Sequence, residues 1–377
     1  MRKTVLALLA AVAGVLWFAA PSGASTKASS GTKWAIAKSA PGGINTKALI
    51  KAAQKEGQLN VIALPPTWAN YGTIIKDFSK KYHIKITSAN PTGSSEQEVT
   101  ALSDLKGQTR SPDVIDVSTS FAVTAQKKGL LAPFKVTEWS TIPASAKTAK
   151  GYWYDDYGGY VAIGYTSAKV KTAPTTFADL LKSTYTNMVG IDGTPTQTGS
   201  AEAAVIAAAL ANGGSYNNIT PGITFFKKLD SVGNFVPVKA GPSTVENGTT
   251  PIVLWWTYLQ ASTIAAKLPT WKEVVPAKGE YAAYYSQAIA KTAPHPAAAR
   301  LWEEYLYSSI GQNLWLDGKA RPIELAAMQK KGTATKKALK VLPTVPNPKL
   351  ALPTTTQLAK MGTVLTAKWS VTVSSGT

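Results

Sequence analysis

The stretch KTAPHPAAARLWEEYLYSSIGQNLWLDGKARPI, residues 291–323, decides how this chain is read. Pro294 and Pro296 set a tight turn around His295, because each ring fixes φ and removes a donor. His295 itself reads as a turn residue. Ala298, Leu301, Trp302, Tyr305 and Leu306 then recur near helical spacing and form one apolar stripe. Glu303 and Glu304 are neighbours on that helix with diverging side chains, so they read as solvated surface. The run before the turn, YYSQAIAKTA (284–293), reads as a strand. A strand, a proline-bounded turn and an amphipathic helix thus sit late in a long chain.

Working outward, the pattern alternates. TKALIKAAQKEG (46–57) is a helix closed by Gly57, QLNVIAL a strand and TIIKDFSKKY a helix with Ile74, Ile75 and Phe78 on one face. HIKITSAN is a strand. SSEQEVTALSDLKGQ is a helix capped by Ser95, with Glu96 and Glu98 in its first turn. PDVIDVS and FAVTAQKKG repeat the strand–helix unit. This alternation predicts an α/β class with a largely parallel sheet. GGYVAIGYTSAKV (158–170) breaks the rhythm as a long extended run able to carry the chain between two lobes. Further strands and helices follow, among them NMVGIDG, the alanine-rich AEAAVIAAALANGG and TPIVLWWTYLQAS.

The chain has 377 residues, enough for two domains or one bilobal unit. It has no cysteine, which excludes disulfides, thiolate zinc sites and cysteine nucleophiles. Two histidines, His83 and His295, leave little room for a histidine-rich metal site or a catalytic triad. The net charge of +19 comes from scattered lysines and few acids, with no arginine tract. It reads as a solvated lysine surface rather than a nucleic-acid footprint. MRK followed by TVLALLAAVAGVLWFAA and PSGAS has the form of an export signal, with cleavage expected after Ala24. The mature protein is expected outside the cytoplasmic membrane, periplasmic or secreted and without a lipid anchor.

Several pieces, taken in order, carry a resemblance: KAAQKEGQLNVIA, SPDVIDV, KKGLLAPFKV, PTTFADLL, VENGTTPIVL and AIAKTAPHPAAARLWEEYLYSSIGQNLWLDGKARPI. The chain resembles the extracellular solute-binding proteins of bacterial ABC importers, of the two-lobed type II that includes iron, polyamine, thiamine and phosphonate binders. The resemblance implies two α/β lobes that close about a hinge over a small solute and hand it to a permease. It implies that residues 291–323 are the returning scaffold of the first lobe. The expected division is a signal peptide (1–24), a flexible arm (25–44), first lobe (45–160), second lobe (161–280), returning first lobe (281–325) and a C-terminal segment packed on the lobes (326–377). A monomer is expected, with no nucleic-acid partner, no cofactor and no metal.

Ligand groups should come from loops at the carboxyl ends of strands. PPTWANYG offers Trp68, Asn70 and Tyr71, unless Trp68 merely packs beneath its loop. STSF offers Ser118 and Ser120, which alternatively cap a helix. TPTQTGS offers Thr198, Gly199 and Ser200 at a helix start suited to an anion, or simply a cap. In LWWTYLQ, strand alternation sets Trp255 and Thr257 against Trp256 and Tyr258; Trp256 and Tyr258 are favoured for the cleft. Tyr284 completes the expected set. Ferric binders of the resembled type place adjacent tyrosines here, whereas this chain has Thr257-Tyr258, and Tyr284-Tyr285 would point to opposite faces. Asp155 and Asp156 in YWYDDYGGY could meet ammonium groups, or belong to a solvated turn. The ligand is therefore expected to be a polyamine or an organic anion or zwitterion. G-x-S-x-G, P-loop and H-E-x-x-H motifs do not occur, so catalysis is not expected. A secreted basic adhesin is the rival of another class.

Overall fold

A computed structural model describes residues 31–348 and 350–373. The expected signal peptide and residues 25–30 of the arm lie outside the described residues. The chain opens with α1 (Gly31–Ile36), α2 (Lys47–Glu56), β1 (Gln58–Ile62), α3 (Tyr71–Tyr82) and β2 (Lys85–Ala89). It continues with α4 (Ser95–Asp104), β3 (Val114–Ser118), α5 (Thr119–Lys127) and β4 (Leu131–Ala132). Gly57 ends α2 at φ 71°, a left-handed conformation that glycine adopts without strain. β1 and β2 pair in parallel, and Asp113 ties β3 to them by accepting the Asn60 N–H at 2.7 Å. The cap of α4 is Ser94, not Ser95. Ser94 and Gln97 satisfy each other's backbone N–H groups, so the four-residue spacing selects the first serine.

The centre of the fold is β5 (Tyr154–Thr166), a strand of 13 residues. After it come β6 (Val189–Ile191), α6 (Gly199–Ala211), α7 (Thr220–Ser231), β7 (Phe235–Lys239), α8 (Pro242–Glu246), β8 (Ile252–Trp256), α9 (Thr257–Leu259) and β9 (Trp271–Val274). Then follow β10 (Ala282–Ala290), α10 (Pro296–Leu306), α11 (Ser309–Asp317), β11 (Arg321–Pro322), α12 (Leu325–Lys331), α13 (Lys336–Lys340) and α14 (Thr355–Thr372). Residues Tyr154–Tyr160 of β5 pair with β10 and β11, and Val161–Thr166 pair with β8 and β9. The strand order is β3-β10-β5-β8-β6-β7. One strand therefore belongs to two sheet halves, with β3 and β10 on one side and β8, β6 and β7 on the other. Asp155 and Asp156 lie on β5 and are buried, so the solvated turn is not what forms there.

The proline turn does return the chain to the first half. The His295 N–H donates to Asp113 Oδ1 at 2.6 Å, and its Nδ1 lies 2.8 Å from Oδ2. His295 is thus an anchor as well as a turn residue. All of α10 is buried, which corrects the surface reading of Glu303 and Glu304. Glu304 accepts the Thr137 N–H at 3.0 Å, and Glu303 meets the buried Tyr154 of β5. Residues 31–44 hold α1, and Arg300 donates to the carbonyls of Ala35 and Ala37 and so draws that segment over α10. The charge-assisted bonds to Arg300 and the buried Trp34 supply what the arm's Ser/Lys/Gly composition concealed.

At the other end, α14 packs on both α5 and α7, elements of opposite halves. Trp369 meets Phe226 of α7 edge-on at 5.5 Å. Before the helix, the carbonyls of Pro343, Asn347 and Ala351 accept from Arg321, Tyr160 and Tyr216.

Candidate functional site

The carboxyl ends of β3 and β6 face each other across a cavity of about 450 Å³. The two halves meet around it. The Glu96 N–H donates to the Gln197 carbonyl at 3.2 Å, Lys239 Nζ donates to the Thr92 carbonyl at 3.1 Å, and Ser120 donates to Glu202. A Cβ on Gly199 would overlap the Ser118 side chain, so only glycine lets the halves come this close.

One wall is built on β3 and α4. Asp116 Oδ2 accepts hydrogen bonds from Tyr71 at 2.6 Å and from Tyr157 at 2.9 Å. Tyr157 accepts in turn from Trp68 Nε1 at 2.8 Å, and Tyr71 from Gln287 at 2.9 Å. The backbone N–H of Asp116 donates to Glu98 at 3.0 Å. Asp116 Oδ1 is buried with no protein partner. Burial raises the Asp116 carboxyl to about 7, although both phenols pull it down. Burial also holds Glu98 well above the usual carboxylate range, and the nearby Asp116 adds to it.

The facing wall is built on β6 and the start of α6. Thr198 caps α6 by accepting the Ala201 N–H and donates to the Asp192 carbonyl at 2.6 Å. Asp192 Oδ2 accepts from Ser200 at 2.6 Å and from Trp255 Nε1 at 3.2 Å. Burial raises its carboxyl, against the pull of Lys239 and of both hydrogen bonds. Trp68 stands edge-on to Trp255 and Tyr285, with centroids 6.0 and 5.6 Å apart, and all three rings line the cavity.

Of the residues expected from sequence, Trp68, Thr198, Gly199 and Ser200 line this cavity. Tyr71 supports it from beneath, fully buried. Asn70 is drawn elsewhere: its side chain donates to the Leu314 carbonyl at 2.9 Å and pins the loop to α11. Ser118, Ser120, Trp256 and Tyr284 line a separate recess of about 30 Å³, scarcely more than one water. Tyr258 is fully buried beside Trp68, Tyr157 and Trp256. Trp255 lines the cavity, whereas Trp256 and Tyr258, favoured from the sequence, do not. β8 ends at Trp256 and helix follows, so strand alternation no longer governs Thr257 and Tyr258. Tyr284 and Tyr285 do take opposite faces of β10, and Tyr285 is the one at the cavity.

Asp116, Glu98, Asp192, Trp255 and Tyr285 also line the cavity and were not among the residues favoured from the sequence. A signal existed for two of them. Asp116 interrupts an apolar strand near its carboxyl end, and Asp192 directly follows one. Glu98 reads from the sequence as a partner of the helix dipole, a role that gives no reason for its burial.

Residues 109–343 match a family described as bacterial extracellular solute-binding protein. Among curated proteins no sequence match was found. Solved structures share the fold. The periplasmic binding protein AfuA from Actinobacillus pleuropneumoniae, with fructose-6-phosphate bound, has a TM-score of 0.70 at 18% identity, covering 84% of this chain and 99% of its own. The PBP AgtB from A. tumefaciens R10, in complex with agropinic acid, has a TM-score of 0.65 at 16% identity, covering 84% and 99%. A ferric binding protein from Campylobacter jejuni has a TM-score of 0.63 at 18% identity, covering 83% and 99%. The two sheet halves sharing β5 thus have the two-lobed type II fold of those structures, and this chain belongs to the bacterial extracellular solute-binding protein family.

Proposed function

We propose that the protein captures one small polar organic solute in the cavity between its lobes and delivers it to an ABC permease. The carrying observation is the cavity itself. Its volume of about 450 Å³ lies in the range of small-molecule sites, and both lobes contribute polar groups and aromatic rings to it. Closure of the lobes would bury such a solute, and hinge bending of β5 would release it. The lobes are residues 45–160 with 281–325, and 161–280; the segment from 326 on secures them. The protein acts as a monomer, without catalysis or nucleic acid, after removal of residues 1–24. The signal-like composition of those residues supports export, and no described helix is long and apolar enough to cross a membrane.

Ferric ion is the second reading. It is favoured by Tyr258, whose buried hydroxyl has no protein partner. Against it, burial pushes the Tyr258 and Tyr285 phenols well up, which opposes the phenolates that iron needs.

The test is thermal unfolding of the exported protein against polyamines, zwitterions, phosphate esters, organic acids, sugars and ferric citrate. A true ligand at a hundred times its Kd should stabilise the native state by about 2.7 kcal/mol. Trp255→Ala should abolish the shift. A shift that survives Trp255→Ala would place the solute elsewhere.

A further inference from the structure

We infer that the solute carries at least one ammonium group, seated between Asp116 and Glu98 of the first lobe and Asp192 of the second. The inference rests on reading the cavity between the lobes as the solute site.

Four observations carry it. Three buried carboxyl groups line the cavity, and no arginine does. The one lysine, Lys239, directs its Nζ to the Thr92 carbonyl at the lobe junction. The start of α6, which would otherwise suit a carboxylate or phosphate, is already faced by Asp192. That carboxyl accepts from Ser200 of the helix's first turn, so the place an anion would take there is already held by a carboxyl group. Asp116 keeps Oδ1 buried and unpartnered while Oδ2 takes two phenols. A carboxylate with an oxygen in reserve suits a cationic donor, whose bonds are stronger than neutral ones. Finally, Trp68, Trp255 and Tyr285 bring three aromatic rings to the same cavity. Aromatic faces attract ammonium groups and cover the methylenes beside them.

The burial of the carboxyls points the same way. Burial disfavours their charged forms, that of Asp192 even against the pull of Lys239. An ammonium ion restores what desolvation removes, and an anion worsens it.

The experiment is a titration of the exported protein, followed by tryptophan fluorescence and calorimetry. The probes are 1,4-diaminobutane, spermidine, glycine betaine, trimethylamine, 1,4-butanediol, succinate and fructose-6-phosphate. The expected result is that an ammonium compound binds, while the diol and the two anions do not. Asp192→Asn should weaken that binding at least tenfold while leaving the unfolding temperature within a few degrees. Asp116→Asn, on the other lobe, is the second variant should the first fail to fold. Binding of an anion or the diol with no ammonium compound bound would overturn the inference and leave solute capture standing. Ammonium binding that is unchanged in both variants would overturn the seat assigned here. If none of these probes binds, the inference falls, and the capture reading stands or falls separately on the wider thermal-unfolding panel.

Discussion

Ser120 Oγ donates to Glu202 Oε2 at 2.5 Å, and the bond joins α5 of one lobe to α6 of the other. Glu202 is buried, and burial lifts its carboxyl to about 7 although Ser120 pulls it back. The lobes thus meet through a polar contact with little water around it. Such a contact is stronger than it would be in solvent and leaves a costly orphan when broken. Glu202→Ala should therefore open the molecule. We expect a larger radius of gyration by small-angle scattering and weaker solute binding; an unchanged radius would deny the contact any part in closure.

Gly199 gives a sharper test of the same junction. Its missing Cβ is what admits Ser118. Gly199→Val should hold the lobes apart and weaken solute binding by at least tenfold, without loss of helix by circular dichroism. Equal affinity in the variant would show that the lobes need not approach this closely.

Stability should rise on acidification. Burial raises Asp155, Glu202, Glu273, Glu304 and Glu324 to about 7 and Glu303 to about 8. Each such carboxyl holds its proton more tightly folded than unfolded, where its pKa is about 4. Its stabilising contribution is complete below about 4 and is lost as pH climbs through 7 to 8. The unfolding temperature is expected to increase by several degrees from pH 8 to pH 5. A fall over that range would mean that these groups are ionised in the native state.

Solute affinity should run the other way. An ammonium group binds the ionised forms of Asp116, Glu98 and Asp192, so binding expels protons that burial retains in the empty site. Affinity should increase with pH through the neutral range, where Asp116 titrates near 7. Calorimetry in buffers of different ionisation enthalpy would show the released protons. Proton uptake on binding would contradict the assignment.

Trp369 is buried against Phe226. Trp369→Ala should lower stability by about 3 kcal/mol, as large aromatic deletions do. Urea unfolding measures it.

Much of the fold was legible because periodicity and chain order record it. The returning strand and helix at 284–306 and the extended run at 158–170 are examples. Burial was harder to read. The arm looks like a linker because its contacts to α10 run through backbone carbonyls of Ala35 and Ala37, which composition does not display. Glu303 and Glu304 look solvated because nothing local announces the groups they meet, Tyr154 and Thr137. In the site, Thr198, Gly199, Ser200 and Trp68 follow from their loops. Asp116 and Asp192 come to line one cavity only across the lobe junction, a proximity with no local sequence pattern. The choice between Trp255 and Trp256 turned on where β8 stops, a boundary of one residue.

The helix α14 gives the molecule a mechanical character that two lobes on a shared strand would lack. It packs on both α5 and α7, elements that the proposed opening of the lobes would move apart. Opening then means shearing a packed aromatic seam as well as bending β5. On the proposed function the closed form is expected to dwell longer for this seam, and the hinge to act as a sprung clasp rather than a free pivot.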